Sequence, residues 1–167
     1  RNRIAGTALM IQARVMNLLL SDQFAEDIIC FHREAFAFFL ERELLRAQRY
    51  SSFLTHVLFH IDDRLGDPDD VELLAGCIHE NLRHTDILGS LDRETLAVLL
   101  LNCKAGNAEQ VIQRLKVEFS ARTAGLKTPR VRVSSVVFPT EANSPEAVLR
   151  LAIDRLHRPN GESLFLH

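Results

Sequence analysis

The chain has 167 residues, of which 47% are apolar and 25% charged, and its formal net charge is −2. A chain of that length buries one good core, and so even a charge balance gives no reason to expect general nucleic-acid or anionic-membrane binding. No apolar run reaches membrane-spanning length and no stretch has the layout of a signal peptide. The three cysteines, Cys30, Cys77 and Cys103, lie in apolar runs without a CxxC or Cys/His spacing, which predicts buried thiols in a reducing cytosol rather than a zinc site. The chain opens on Arg1 rather than Met, as a piece of a longer protein does. The expectation is a cytoplasmic domain, either free or the cytosolic part of a membrane-anchored protein.

Residues 8–48 read as long helical sequence with a break at Ser21-Asp22, where a capping residue precedes a new periodic run. Ala8, Ile11, Val15 and Leu18 repeat as a short coiled-coil seam would. Two readings stay open for residues 1–26: packing onto the same domain, or a connector that reaches a second copy or a partner protein. The four phenylalanines Phe31, Phe36, Phe38 and Phe39 are expected in the core rather than stacked on a ligand. "SSFLTHVLFHI", Ser51–Ile61, is β-branched and aromatic and reads as a buried strand, with His60 as a strand histidine.

Asp67-Pro68-Asp69-Asp70 is a helix start, with Asp67 as N-cap, and Val71, Leu74, Ala75, Ile78 and Leu82 form one apolar face up to Arg83. Ile87–Leu91 and Thr95–Leu101 predict two strands around a short turn. Asn107 with Gln110 resembles a capping box opening a helix to about Ala121. Lys127, Arg130 and Arg132 look like a solvated loop and strand face, with nucleic-acid binding not expected there. Val131–Phe138 reads as a strand, and Ser144-Pro145 begins a last helix ending near Arg158-Pro159. This order argues for an α/β (α+β) domain, one mixed sheet flanked by helices, with an N-terminal helical extension.

Several strings in that order resemble the GGDEF domain of diguanylate cyclases and their inactive relatives. "FLERELLRAQRYSSFLTHVLFHID" looks like the family's opening helix and first strand, which ends in an Asp-x-Asp metal motif. "LRHTDILGSLDRETLAVLLL" looks like its RxxD, strand, signature, strand unit, and "VRVSSVVFPTEANSPEAVLRLAIDRL" like its closing strand and helix. The similarity covers roughly residues 27–158, so residues 27–167 are expected to form one degenerate GGDEF domain.

The resemblance places Asp92, Arg93, Glu94, Thr95 and Leu96 where the family has Gly-Gly-Asp/Glu-Glu-Phe. Glycines there permit positive φ in the turn and a close approach of backbone amides to a triphosphate. Asp92 and Arg93 would crowd the phosphates, and Asp92 would repel them. Glu94 matches one metal-ligand position; the first Asp of Asp-x-Asp, its expected partner, is replaced by His60, although Asp62 remains. An imidazole and a carboxylate suit Mg²⁺ poorly. The loop Asp63–Asp69 lacks the family's guanine-binding FKxxND and GHxxGD elements, and Leu156-His157-Arg158-Pro159-Asn160 replaces its closing phosphate clamp. The expectation is therefore no catalytic residues, no metal, no Mg²⁺ cofactor and no cyclase activity.

The RxxD pair, Arg83 and Asp86, stands where the family has its inhibitory site for cyclic di-GMP, and the spacing carries the site's second arginine onto Arg114. A guanidinium fork can take guanine O6 and N7, and a carboxylate can accept from N1–H and N2–H. An exposed i,i+3 ion pair is the plain alternative for Arg83 and Asp86. The resemblance implies a cyclic di-GMP receptor, binding one molecule or an intercalated dimer. It is similar in this to receptors of the PelD type, which control exopolysaccharide secretion in biofilms. A structural or dimerising domain, or a residual cyclase depending on Glu94, are the other readings.

Overall fold

The structure is a computed structural model that describes residues 2–62, 68–126 and 129–158. In chain order these residues form α1 (Asn2–Leu19), α2 (Arg33–Arg49), β1 (Leu54–Ile61), α3 (Pro68–Asn81), β2 (Ile87–Ser90), β3 (Thr95–Leu101), α4 (Ala105–Arg122), β4 (Val131–Phe138) and α5 (Pro145–Leu156). From β1 onward this is a βαββαβ unit closed by α5, with strand order β2-β3-β1-β4 and all three ladders antiparallel.

Strand alternation divides the core between two faces. Val57, Phe59 and Ile61 of β1 join Leu96, Val98 and Leu100 of β3 under α3 and α4, which contribute Leu74, Ile78, Leu115 and Phe119. Leu54 and Leu58 join Ala97, Leu99 and Val136 on the other face, beneath Phe36, Leu40 and Leu44 of α2 and Val148 and Ala152 of α5. Each such buried side chain contributes roughly 1.5–3 kcal/mol. Gly89 allows α2 to sit close on β2, because a Cβ there would lie 2.4 Å from the Phe36 ring. Burial also explains the cysteines: all three are free and buried, and desolvation pushes the Cys30 thiol up to about 12 and the Cys77 thiol up to about 11.

Several boundaries differ from the sequence reading. Ser21 does not open a helix; its hydroxyl accepts from the Gln23 amide, and residues 20–32 are irregular. The cap of α2 is His32, whose Nδ1 accepts from the Ala35 amide at 3.2 Å while Nε2–H donates to the Leu18 carbonyl at 2.9 Å. One ring thus starts α2 and ties down the end of α1. The α4 helix starts at Ala105, two residues before Asn107, with Lys104 extended at the N-cap and no side-chain cap bond. The Asp67 cap lies outside the described residues, as do the side chains of Ala8 and Ile11. The seam residues that are described, Val15 and Leu18, are exposed, and no described side chain of α1 enters either core.

Candidate functional site

The β2 strand is only four residues long, and a tight turn stands at each end of it. At its start, α3 ends and residues 83–86 turn back through a bond from the Asp86 amide to the Arg83 carbonyl, 3.0 Å. The Asp86 carboxylate then accepts two backbone amides, Arg83 N–H at 3.0 Å and Leu101 N–H at 3.1 Å. It therefore pins the turn to the end of β3. This overturns the ion-pair alternative: the carboxylate faces backbone, and the Arg83 guanidinium is exposed with no side-chain partner among the described residues. Two lone-pair positions on the half-buried carboxylate stay open for a ligand.

Arg83 and Asp86 line one open groove of about 480 Å³, which Phe31 and Phe39 also line. The phenylalanine expectation holds for Phe36 and in part for Phe31 and Phe39, which pack against the core, and fails for Phe38. Phe36 is buried in the core, Phe31 and Phe39 are only partly buried, and Phe38 is 59% exposed. Arg114 does not line the groove. Its Nε donates to Asn81 Oδ1 at 2.8 Å and its Nη2 to the Asn81 carbonyl at 3.0 Å, two residues before Arg83. Asn81 also donates to the Cys77 carbonyl at 2.8 Å and to the Glu118 carboxylate. The arginine is exposed as expected, but it works as a side-chain cap on the end of α3. Asn81 and Glu118 were not anticipated; a lone Asn at a helix end was the available signal.

The second turn, residues 91–94, joins β2 to β3. The family's glycines permit positive φ in this turn, a conformation that Arg93 would adopt only at a cost, and neither Asp92 nor Arg93 adopts it. Among the described residues only Ser51, Asn102 and Gly125 have positive φ. The loop is wider than a two-residue hairpin and is closed by side chains. Ser90 Oγ donates to the Asp92 carbonyl at 2.9 Å, Asp92 Oδ1 accepts from the Glu94 amide at 2.9 Å, and Leu91 N–H bonds the Thr95 carbonyl at 2.9 Å. Thr95 and Leu96 already belong to β3, both buried.

Beside this turn, His60 Nδ1 and Thr95 Oγ1 share a hydrogen bond of 3.0 Å across the β1–β3 ladder. Asp62 follows β1 and is gripped by two arginines: Arg132 Nη2 is 2.8 Å from Oδ1, and Arg130 Nε is 3.5 Å from Oδ2. Arg132 Nη1 also donates to the Leu156 carbonyl at the end of α5, 3.0 Å. Arg132 is thus a half-buried clamp rather than part of a solvated face, and Lys127 lies outside the described residues. Among the described residues no three His, Cys, Asp or Glu side chains gather around one metal-sized point.

No family model matches the sequence, and no curated protein matches it. Solved structures do match in fold. The GGDEF domain of TpbB (YfiN) from Pseudomonas aeruginosa is 22% identical, with a TM-score of 0.69 over 82% of this chain and 85% of that one. The coiled coil and GGDEF domain of DgcB from Caulobacter crescentus, solved in complex with c-di-GMP, has a TM-score of 0.76 at 13% identity, covering 93% of this chain and 87% of that one. The FimX GGDEF domain from Pseudomonas aeruginosa has a TM-score of 0.66 at 14% identity, over 80% and 91%. This chain has the GGDEF-domain fold.

Proposed function

We propose that this domain is a receptor for cyclic di-GMP that does not synthesise it, with Arg83, Asp86 and Arg114 as the binding residues. The observation that carries the reading is the groove at the start of β2, where an unpartnered guanidinium stands beside a carboxylate held rigid by two amides. Guanine needs a forked donor for O6 and N7 and a fixed acceptor for N1–H and N2–H. A carboxylate already oriented by backbone loses little freedom on binding. Arg114 fixes the α3 end from which Arg83 projects, and its Nη1 is available for a ligand phosphate.

Synthesis is disfavoured by the other turn. Two-metal phosphoryl transfer needs oxygen ligands free to hold Mg²⁺. Here Glu94 is still a carboxylate, but a cation would also meet an imidazole, and a carboxylate whose two oxygens face Arg130 and Arg132. The residues present do not fit the ion. Such a receptor, in the manner of the PelD type, would serve exopolysaccharide output from the cytosolic side. Ligand would shift the domain between arrangements by its differential affinity for them.

A specific observation also favours dimerisation through α1. Met10, Val15 and Leu18 are exposed, and the share of this chain covered by DgcB is 93% when that structure includes its coiled coil and 83% when it does not. Sedimentation of the wild type and of Val15→Glu/Leu18→Glu separates a dimeric receptor from a monomeric one.

The test of the main reading is calorimetric titration with cyclic di-GMP, with GTP as control. Saturable binding that is lost in Arg83→Ala, with the variant folded, is the expected result. No heat and no thermal stabilisation of the folded wild type would sink the reading. Turnover of GTP with Mg²⁺ or Mn²⁺ that disappears in Glu94→Gln would replace it with a cyclase.

A further inference from the structure

We infer that Phe39, backed by Phe31, is the stacking wall of the groove, so that a guanine lies flat against the Phe39 ring while Arg83 and Asp86 address its edges and the ligand's phosphate faces His84. This rests on the receptor reading and adds the residues that select a nucleobase over other anions. The α2 helix turns Phe36 into the core, where it is 1% exposed, and carries Phe39 one turn further on to the groove. The ring is held from two sides. Phe31 meets it at 4.8 Å between centroids and 57°, and Phe38 meets it edge-on at 5.8 Å and 69°.

The backing is anchored too. The Phe31 amide donates to the Leu88 carbonyl and the Ser90 amide donates to the Phe31 carbonyl, both at 2.9 Å, which adds Phe31 to the open edge of β2. The groove is therefore lined both by an anchored aromatic pair, with Ile29 48% exposed among its lining, and by polar groups, Arg83, His84 and Asp86. A wholly apolar guest would leave the guanidinium and carboxylate unmatched, and a simple anion would leave the rings wet. A planar heterocycle carrying phosphate satisfies both kinds of group.

The chain contains no tryptophan, so Phe39→Trp places a single indole reporter in the wall. Titration of that variant with cyclic di-GMP should quench its emission in step with the calorimetric isotherm. Phe39→Leu, which keeps an apolar side chain but removes the ring, should bind at least tenfold more weakly while melting as a folded domain. Unchanged affinity in Phe39→Leu, with Arg83→Ala still abolishing binding, overturns the wall and leaves the receptor standing. Weaker binding in Phe39→Leu without quenching in Phe39→Trp assigns Phe39 a structural role and overturns it as well. No binding by the wild type removes the receptor and the wall together.

Discussion

The two turns at the ends of β2 use the same residue types and differ in what surrounds them. At residues 83–86 the carboxylate goes to backbone amides, so the arginine is left in solvent at the edge of a groove. At residues 91–94 the Asp92 carboxylate likewise takes a backbone amide and Arg93 has no ion pair among the described residues, whereas at the adjoining end of β1 carboxylate meets cation: Asp62 is held by Arg130 and Arg132. A guanidinium stays open to solvent where its neighbouring acid has been given something else to bind. Other exposed arginines are also free of ion pairs; what distinguishes Arg83 is the groove it lines.

The contrast is sharpest against an unpaired polar group in the core. His56 on β1 is fully buried near Phe36, and neither ring nitrogen has a hydrogen-bond partner. Burial holds its imidazole down to about 4 from an ordinary 6.5. The unfolded chain therefore takes up the proton first. The stability this group contributes is full above pH 6.5 and is lost as pH falls toward 4, to the extent of about 3 kcal/mol. In urea unfolding at stepped pH, His56→Leu should lose that part of the pH dependence and gain about 1–2 kcal/mol at pH 7. An unaltered pH profile would mean that His56 finds a partner.

Next in size is the difference between the two arginine sites. Arg83→Ala should weaken cyclic di-GMP by about a hundredfold, near 2.7 kcal/mol, whereas Arg130→Ala should leave the affinity as it was. Equal losses in titration calorimetry would erase the distinction between the two turns. Gly89→Ala brings a Cβ against Phe36 and should cost about 2 kcal/mol in the same unfolding experiment. Asp62→Ala, which frees two arginines at a partly exposed site, should cost about 1–2 kcal/mol without changing ligand affinity. The smallest effect belongs to Asp92→Ala, about 0.5–1 kcal/mol for the lost bond to the Glu94 amide. A much larger loss there would show that the turn depends on this one carboxylate.

Features that depend on near neighbours were legible along the chain. Val131–Phe138 and Thr95–Leu101 are strands at the expected bounds, because alternation and β-branching act over a few residues. Pro68 and Pro145 begin helices because a fixed φ and a missing N–H suit a first turn. The strand and helix order, and with it the likeness of fold, followed from these local signals. Three matters were decided only in three dimensions. His32 rather than Ser21 caps α2, because the imidazole also reaches the end of α1. Phe36 and Phe39 differ in burial though both lie on α2, because Phe36 packs on Gly89 of β2 while Phe39 lines the groove. Arg132 finds Asp62 across 70 residues of chain and Arg114 finds Asn81 across 33, while Arg83 finds no acid, although Asp86 is only three residues away. Periodicity carries information about a face, whereas the pairing of charges depends on which chain ends the sheet brings together.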